Sequence, residues 1–204
     1  MWRAVLVAAL GPWAAWAEGE APGGHDHYVL ALTWQPAWCA LEGEAACHGD
    51  LGWTLHGLWP QHEEGWPSWC PTDAPAPTRA EVAAMADLMG SGTLAGHQWR
   101  KHGTCSGLSG QGYLALSRRA FEAVTRPAIL ERVEAPLRIA PAVVEAAFLE
   151  ANPGLTPDGV TITCREGRIL EARICLTQGL EPRPCSPEVA RDCAADAPLF
   201  EPIR

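Results

Sequence analysis

The 204 residues are 48% hydrophobic and 19% charged, a globular composition long enough for one substantial core. With 20 Gly and 18 Pro the chain stays below the share at which low-complexity disorder takes over, so its loops should be long but ordered. A formal net charge of −9 excludes a protein that grips polyanions through a bulk positive field, leaving room only for a local basic cleft.

Residues Met1 to Ala17 carry one positive charge at Arg3, an apolar run from Ala4 to Leu10, and Ala15-Trp16-Ala17 ahead of Glu18. This is the pattern of a secretory leader with a small-x-small cleavage site, and the apolar run is too short to span a bilayer. The expectation is a signal peptide over 1–17 and one exported domain over 18–204, with no membrane partner. Glu18 to Asp26 and Pro71 to Pro77 read as soft segments, and His25 and His27 in the first of them as surface residues.

Tyr28 to Trp34 is a short, apolar, partly β-branched run, which predicts a buried strand, and Leu51 to Leu58 predicts a second. Thr78 and Glu81 have capping-box spacing; Val82, Met85, Ala86 and Met89 follow on one helical face, so a helix should run from there to Gly90. Further helices are predicted over Thr93–His102, Gly112–Val124 and Pro141–Ala151, the last stopped by Asn152-Pro153-Gly154. Val160–Cys164 and Arg168–Leu176 then read as strands. Strands and helices mix without regular βαβ alternation, so the expected fold is α+β, with helices packed on a mostly antiparallel sheet.

Cysteines stand at 39, 47, 70, 105, 164, 175, 185 and 193. An even count in an exported chain favours disulfides, and no pair has the Cys-x-x-Cys spacing common in structural zinc sites. Spacing alone does not choose among the possible pairings.

Two segments concentrate reactive side chains. The first is His56-Gly-Leu-Trp-Pro60, set among Trp53, Trp66 and Trp69. Trp34 and Trp53 read as core. Trp59, between Leu and Pro, is expected where a strand turns into a loop and could offer its indole face to a flat ligand such as a base. His48 and His62 lie in loops beside this aromatic cluster and could line a cleft.

The second segment is His97-Gln-Trp-Arg-Lys-His102-Gly-Thr-Cys105. On a helix with His97 at zero, Lys101 falls at about 40°, Gln98 at about 100° and His102 at about 140°, one polar sector, while Trp99 at about 200° packs inward. A solvated face is the competing account, but such faces are built from Glu and Lys rather than two imidazoles. Zinc fits poorly, because His97 and His102 are five residues apart rather than three or four.

Two histidines and a lysine suit metal-free RNA cleavage. A base takes the ribose 2′-hydroxyl proton, an acid protonates the departing 5′-oxygen, and a cation stabilises the phosphorane. Imidazole can fill the first two roles because its free pKa is about 6.5.

Together the segments resemble the two active-site segments of the ribonuclease T-two family of secreted ribonucleases, and the likeness extends to Trp34 through Cys39 and the C-terminal cysteines. The resemblance implies His56 as general acid, His102 as general base, Lys101 as the transition-state cation, His97 as a phosphate contact and Trp59 as the aromatic holding the base on the 5′ side of the cut. It implies a 2′,3′-cyclic phosphate opened to a 3′-phosphate, with no cofactor or metal. In-line attack needs a flexible backbone and stacking needs unpaired bases, so the expected substrate is single-stranded RNA cut with little base preference, and the expected protein is a monomer, periplasmic or secreted. It also implies the pairs Cys39–Cys47, Cys70–Cys105, Cys164–Cys193 and Cys175–Cys185. Gln98 departs from the family pattern, which has Glu there. Losing that carboxylate should weaken turnover rather than abolish it, and the rival outcome is an RNA-binding or storage protein on the same fold.

Overall fold

A computed structural model describes residues 21–43, 47 and 51–203; the leader reading over 1–17 and His48 lie outside them. Strand β1, His27–Trp34, leads into α1, Gln35–Glu42, and β2, Trp53–Gln61. Helices α2, Arg79–Ala83, α3, Ala86–Met89, α4, Gly92–Lys101, α5, Gly110–Ala123, and α6, Ala128–Glu131, follow. The chain closes with β3, Leu137–Arg138, α7, Pro141–Ala151, β4, Val160–Arg165, β5, Arg168–Thr177, and β6, Leu199–Phe200.

The strands form one sheet in the order β2-β1-β5-β6-β3, with β4 also paired to β5. All pairings are antiparallel except the short β5–β6 contact. The expected α+β architecture is therefore the one found. As the strand between β2 and β5, β1 is buried along its whole length, which is why its sequence is almost unbroken in apolarity. β2 runs on to Gln61 and includes Pro60, where a strand end was expected at Leu58. Its place at the sheet edge tolerates a residue with no N–H to donate.

One face of the sheet carries the core. Leu30, Leu32 and Trp34 of β1, Leu55 and Leu58 of β2, and Ala172, Ile174 and Leu176 of β5 pack against Trp99, Tyr113, Phe121, Val144 and Phe148 from the helices. Trp34 stacks on Phe200 at 4.6 Å and meets Trp53 at 5.1 Å, while its indole N–H donates to the Glu201 carbonyl at 2.7 Å, fastening the C-terminal segment to β1. Tyr113, fully buried, donates its hydroxyl to the Leu58 carbonyl at 2.9 Å and anchors α5 on β2.

The capping box forms as its spacing predicts, with Thr78 accepting from the Glu81 N–H and Glu81 accepting from the Thr78 N–H at 2.7 Å. The single helix expected to reach Gly90 is instead two short ones. Arg118 of α5 takes the Ala84 carbonyl at 2.9 Å, so a group that a continuous helix would use internally is spent on a tertiary contact. Gly90 ends α3 with φ of +70°, the left-handed conformation that glycine adopts without cost. Helix α7 matches its predicted bounds. Asn152 explains the stop, donating to the Phe148 and Thr125 carbonyls at 2.9 and 2.8 Å. Helix α1 was not expected; Pro36 in its first turn is the signal that could have shown it.

The eight cysteines form the four pairs that the family likeness implies. Cys70–Cys105 spans 35 residues and ties the segment after β2 to the turn after α4, a closure worth about 3 to 4 kcal/mol in the chain-entropy account. Pro71 to Pro77 has no regular secondary structure but is pinned by this bridge and by the Gly110 N–H donating to the Pro75 carbonyl at 2.8 Å, so it is not soft.

The reading of His25 and His27 as surface residues is corrected. His27 opens β1, paired to Gln61 and Thr177, and both rings are buried with no protein hydrogen bond among the described residues. The polar run before them concealed that the sheet begins there. Burial lowers the pKa of His25 to about 4, aided by the nearby His62 and opposed by Asp26. Burial also lowers His27, with Arg183 adding to the effect. Both are therefore neutral in the folded chain and gain protons on unfolding below about pH 6.5. Stability should fall as pH drops from about 6.5 towards about 4. Urea midpoints measured across that range check this, and His25→Phe should flatten the decline.

Candidate active site

The site begins with one extra residue in β2. Ala31 of β1 pairs with Gly57 and Leu32 with Leu55, so His56 is left over as a bulge. The bulge reverses the alternation of β2. Leu55 and Leu58 both reach the core, and His56 and Trp59 both fall on the opposite face.

On that face a cleft of about 350 Å³ is lined by residues that include His56, Trp59, Trp66, Lys101, His102, Glu171 and Arg173. Trp59 lies inside the strand rather than at its end, a correction to the sequence reading. Its ring meets His56 edge-on at 5.1 Å and stacks on His102 at 5.4 Å with 28° between planes. The Arg173 guanidinium lies 5.4 Å from the indole centroid. Trp59 thus works first as a spacer that fixes two imidazoles on one cleft. Trp66 lines the same cleft and is the more exposed indole.

Helix α4 brings the second segment to β2. Of the predicted polar sector, Lys101 and His102 reach the cleft. Gln98 is buried beneath Trp59, whose indole N–H donates to its Oε1 at 2.8 Å. His97 is exposed, sits edge-on to Trp69 at 5.8 Å, and does not line the cleft. Arg100 is exposed, and Trp99 is core, as its helical angle predicts.

The electrostatics separate the two imidazoles. Burial lowers the pKa of His102 to about 3, with the charges of Lys101, His56 and His97 pushing the same way, so this ring is neutral at ordinary pH and able to accept a proton. His56 instead meets a carboxylate: its Nδ1 lies 2.6 Å from Glu171 Oε1. Burial raises the pKa of Glu171, but the hydrogen bond from His56 and the charges of His56 and Arg173 more than reverse this, holding the carboxyl below its usual range. A neutral ring and a ring bonded to a carboxylate, both facing one cleft, can take a proton from one atom and give a proton to another.

Glu171 and Arg173 were missed in the sequence. The signal was present in the predicted strand Arg168–Leu176, where two charged residues two apart must share a face while Ala172 and Ile174 take the other. Among the described residues no group of three or more His, Cys, Asp or Glu is arranged to hold a metal ion, and no helix is long and apolar enough to cross a membrane.

The chain belongs to the Ribonuclease T2 family, whose model matches residues 25–134. It is 44% identical over 110 residues to a ribonuclease of Aeromonas hydrophila, a match covering 52% of this chain and 50% of that protein. A probable ribonuclease of Haemophilus influenzae is 31% identical over 122 residues, covering 50% of this chain and 44% of that one. The chain thus spans about half the length of the curated relatives it matches. An RNase-related protein from Calystegia sepium has the same fold, with a TM-score of 0.68 at 18% identity over 87% of this chain and 98% of its own. RNase NT, solved with 5′-AMP, has a TM-score of 0.63 at 20% identity over the same share of each.

Gly57 is required by this packing. A Cβ there would lie 2.3 Å from Gln98 Oε1 and 2.6 Å from Trp59 Nε1, inside the hydrogen bond that joins β2 to α4. Gly57→Ala should therefore cost about 1 to 3 kcal/mol, read as a lowered denaturant midpoint.

Proposed function

We propose that this protein is an exported, monomeric endoribonuclease that cuts single-stranded RNA with little base preference. The observation that carries the reading is the pair of imidazoles, His56 and His102, held against Trp59 on one cleft with Lys101 beside them.

In this reading neutral His102 removes the 2′-hydroxyl proton, and the 2′-oxygen attacks the adjacent phosphorus. Lys101 offsets the charge that builds on the phosphorane oxygens. His56 gives its proton to the 5′-oxygen as that bond breaks, leaving a 2′,3′-cyclic phosphate and a free 5′-hydroxyl. Water then opens the ring with the two histidines in exchanged roles, ending in a 3′-phosphate. Trp59 and the more exposed Trp66 offer indole surface to an unpaired base, which favours single strands. His97, outside the cleft, acts as a phosphate contact at its rim. No step needs a metal or cofactor. Four disulfides suit an oxidising compartment, the periplasm or the exterior, with residues 1–17 as the leader.

Gln98 favours the second reading, RNA binding with attenuated turnover. Against it stands the hydrogen bond from Trp59, which keeps Gln98 in a positioning role without a charge.

Digestion of RNA in excess chelator decides between these readings and a metal nuclease. Activity should persist, releasing 2′,3′-cyclic phosphate ends, and His56→Ala and His102→Ala should each cost on the order of 10² to 10⁴ in rate. Binding without cleavage, or loss with chelator, would sink the reading. Because His102 stays unprotonated down to about pH 3, the acidic limb of kcat/KM should fall well below the usual imidazole range. A pH–rate profile on a dinucleotide measures that limb.

A further inference from the structure

Glu171 lies on β5, outside the span that matches the family, and its carboxylate is buried, with only 8% of its side chain exposed. A buried carboxylate is costly unless its oxygens are bonded, and here each has its own partner. Oε2 accepts from Arg173 through Nε at 3.2 Å and Nη2 at 2.9 Å, with the Thr163 hydroxyl at 3.5 Å. Oε1 is left for Nδ1 of His56 at 2.6 Å. The guanidinium fork fixes one oxygen and so aims the other.

The backbone makes this meeting possible twice over. His56 is the extra residue of β2, and Leu170 is the extra residue of β5, where Thr163 pairs with Glu171 and Cys164 with Ile169. Ile169 and Ala172 both face the core across that irregularity, so unbroken alternation from Ile169 would have buried Glu171 among apolar side chains. Between the two strands, β1 presents Ala31 and Thr33, and small Ala31 leaves His56 room to reach across.

The charges around His56 give the pairing its meaning. His97, Lys101 and His102 from α4 and its C-terminal end, and Arg173 from β5, are all cationic or able to become so. Glu188 lines the same cleft but accepts the Gly65 N–H at 2.6 Å. Glu171 is the carboxylate bonded to the ring.

We propose that Glu171, clamped by Arg173, is a positioning residue for His56. It holds the ring with Nδ1–H inward and leaves Nε2 to face the cleft. The inference rests on the endoribonuclease reading, because it assigns His56 the proton that reaches the departing 5′-oxygen.

The test compares two substrates: a dinucleotide, whose leaving alkoxide needs that proton, and uridine 3′-(4-nitrophenyl phosphate), whose leaving phenolate does not. Glu171→Gln keeps the acceptor and removes the charge. It should lower kcat on the dinucleotide at least about tenfold more than on the ester, with KM little changed. In the unsubstituted protein, proton NMR should show a strongly downfield imidazole N–H signal that vanishes in His56→Ala; this reading does not depend on the Gln variant folding. Equal losses on both substrates, or absence of that signal, overturns the proposal while the endoribonuclease reading stands. An unsubstituted protein inactive on both substrates overturns the endoribonuclease reading itself, and this proposal with it.

Discussion

Strand alternation is the constraint on which this molecule turns. A regular β2 that kept Leu55 in the core would send Gly57 and Trp59 there too, while Leu58 would face solvent. One unpaired residue at His56 removes the conflict, because Leu55 and Leu58 can then both pack inward while the intervening imidazole and the later indole point out. The hydrophobic demand of Leu58 and the placement of His56 are therefore one geometric solution. Gly57 completes it, since any side chain there would occupy the space in which Trp59 bonds to Gln98.

From that solution follows a division of labour among aromatic and ionised groups. Trp59 separates the two imidazoles and meets both, and the surroundings then treat them oppositely. His102 is enclosed and stripped of water among cations, which favours the bare ring. His56 is tied across β1 to a carboxylate that a guanidinium holds still. In a chain of net charge −9 the cleft still brings the cations Lys101 and Arg173 together, alongside the carboxylates of Glu171 and Glu188 that hydrogen bonds hold in place.

Much of this was legible in the sequence because it depends on local rules. The capping box at Thr78, the stop at Asn152 and the apolar run of β1 were read from neighbours a few residues apart, and each appears in the structure. The reactive segments were legible for the same reason. What escaped depends on partners distant in the chain. Arg118 divides the helix after Thr78 by taking the Ala84 carbonyl from 34 residues away. His25 and His27 are buried by strands far along the chain, and Glu171 meets His56 across 115 residues. Helical angles put His97 in the same sector as Lys101. They could not show that the cleft opens beside the last turn of α4, beyond the reach of the turn that carries His97.

The bridge between Cys70 and Cys105 joins the two halves of this arrangement, since one cysteine follows the strand bearing His56 and the other closes the turn after His102. While those thiols remain reduced, no covalent tether holds the loop to the helix end, and the two imidazoles depend on packing and on hydrogen bonds, from Trp59 to Gln98 and from the Trp69 N–H to the Lys101 carbonyl, to stay opposed. Oxidation is then a maturation step as well as a staple. A reduced chain lacks the fastening that completes its cleft.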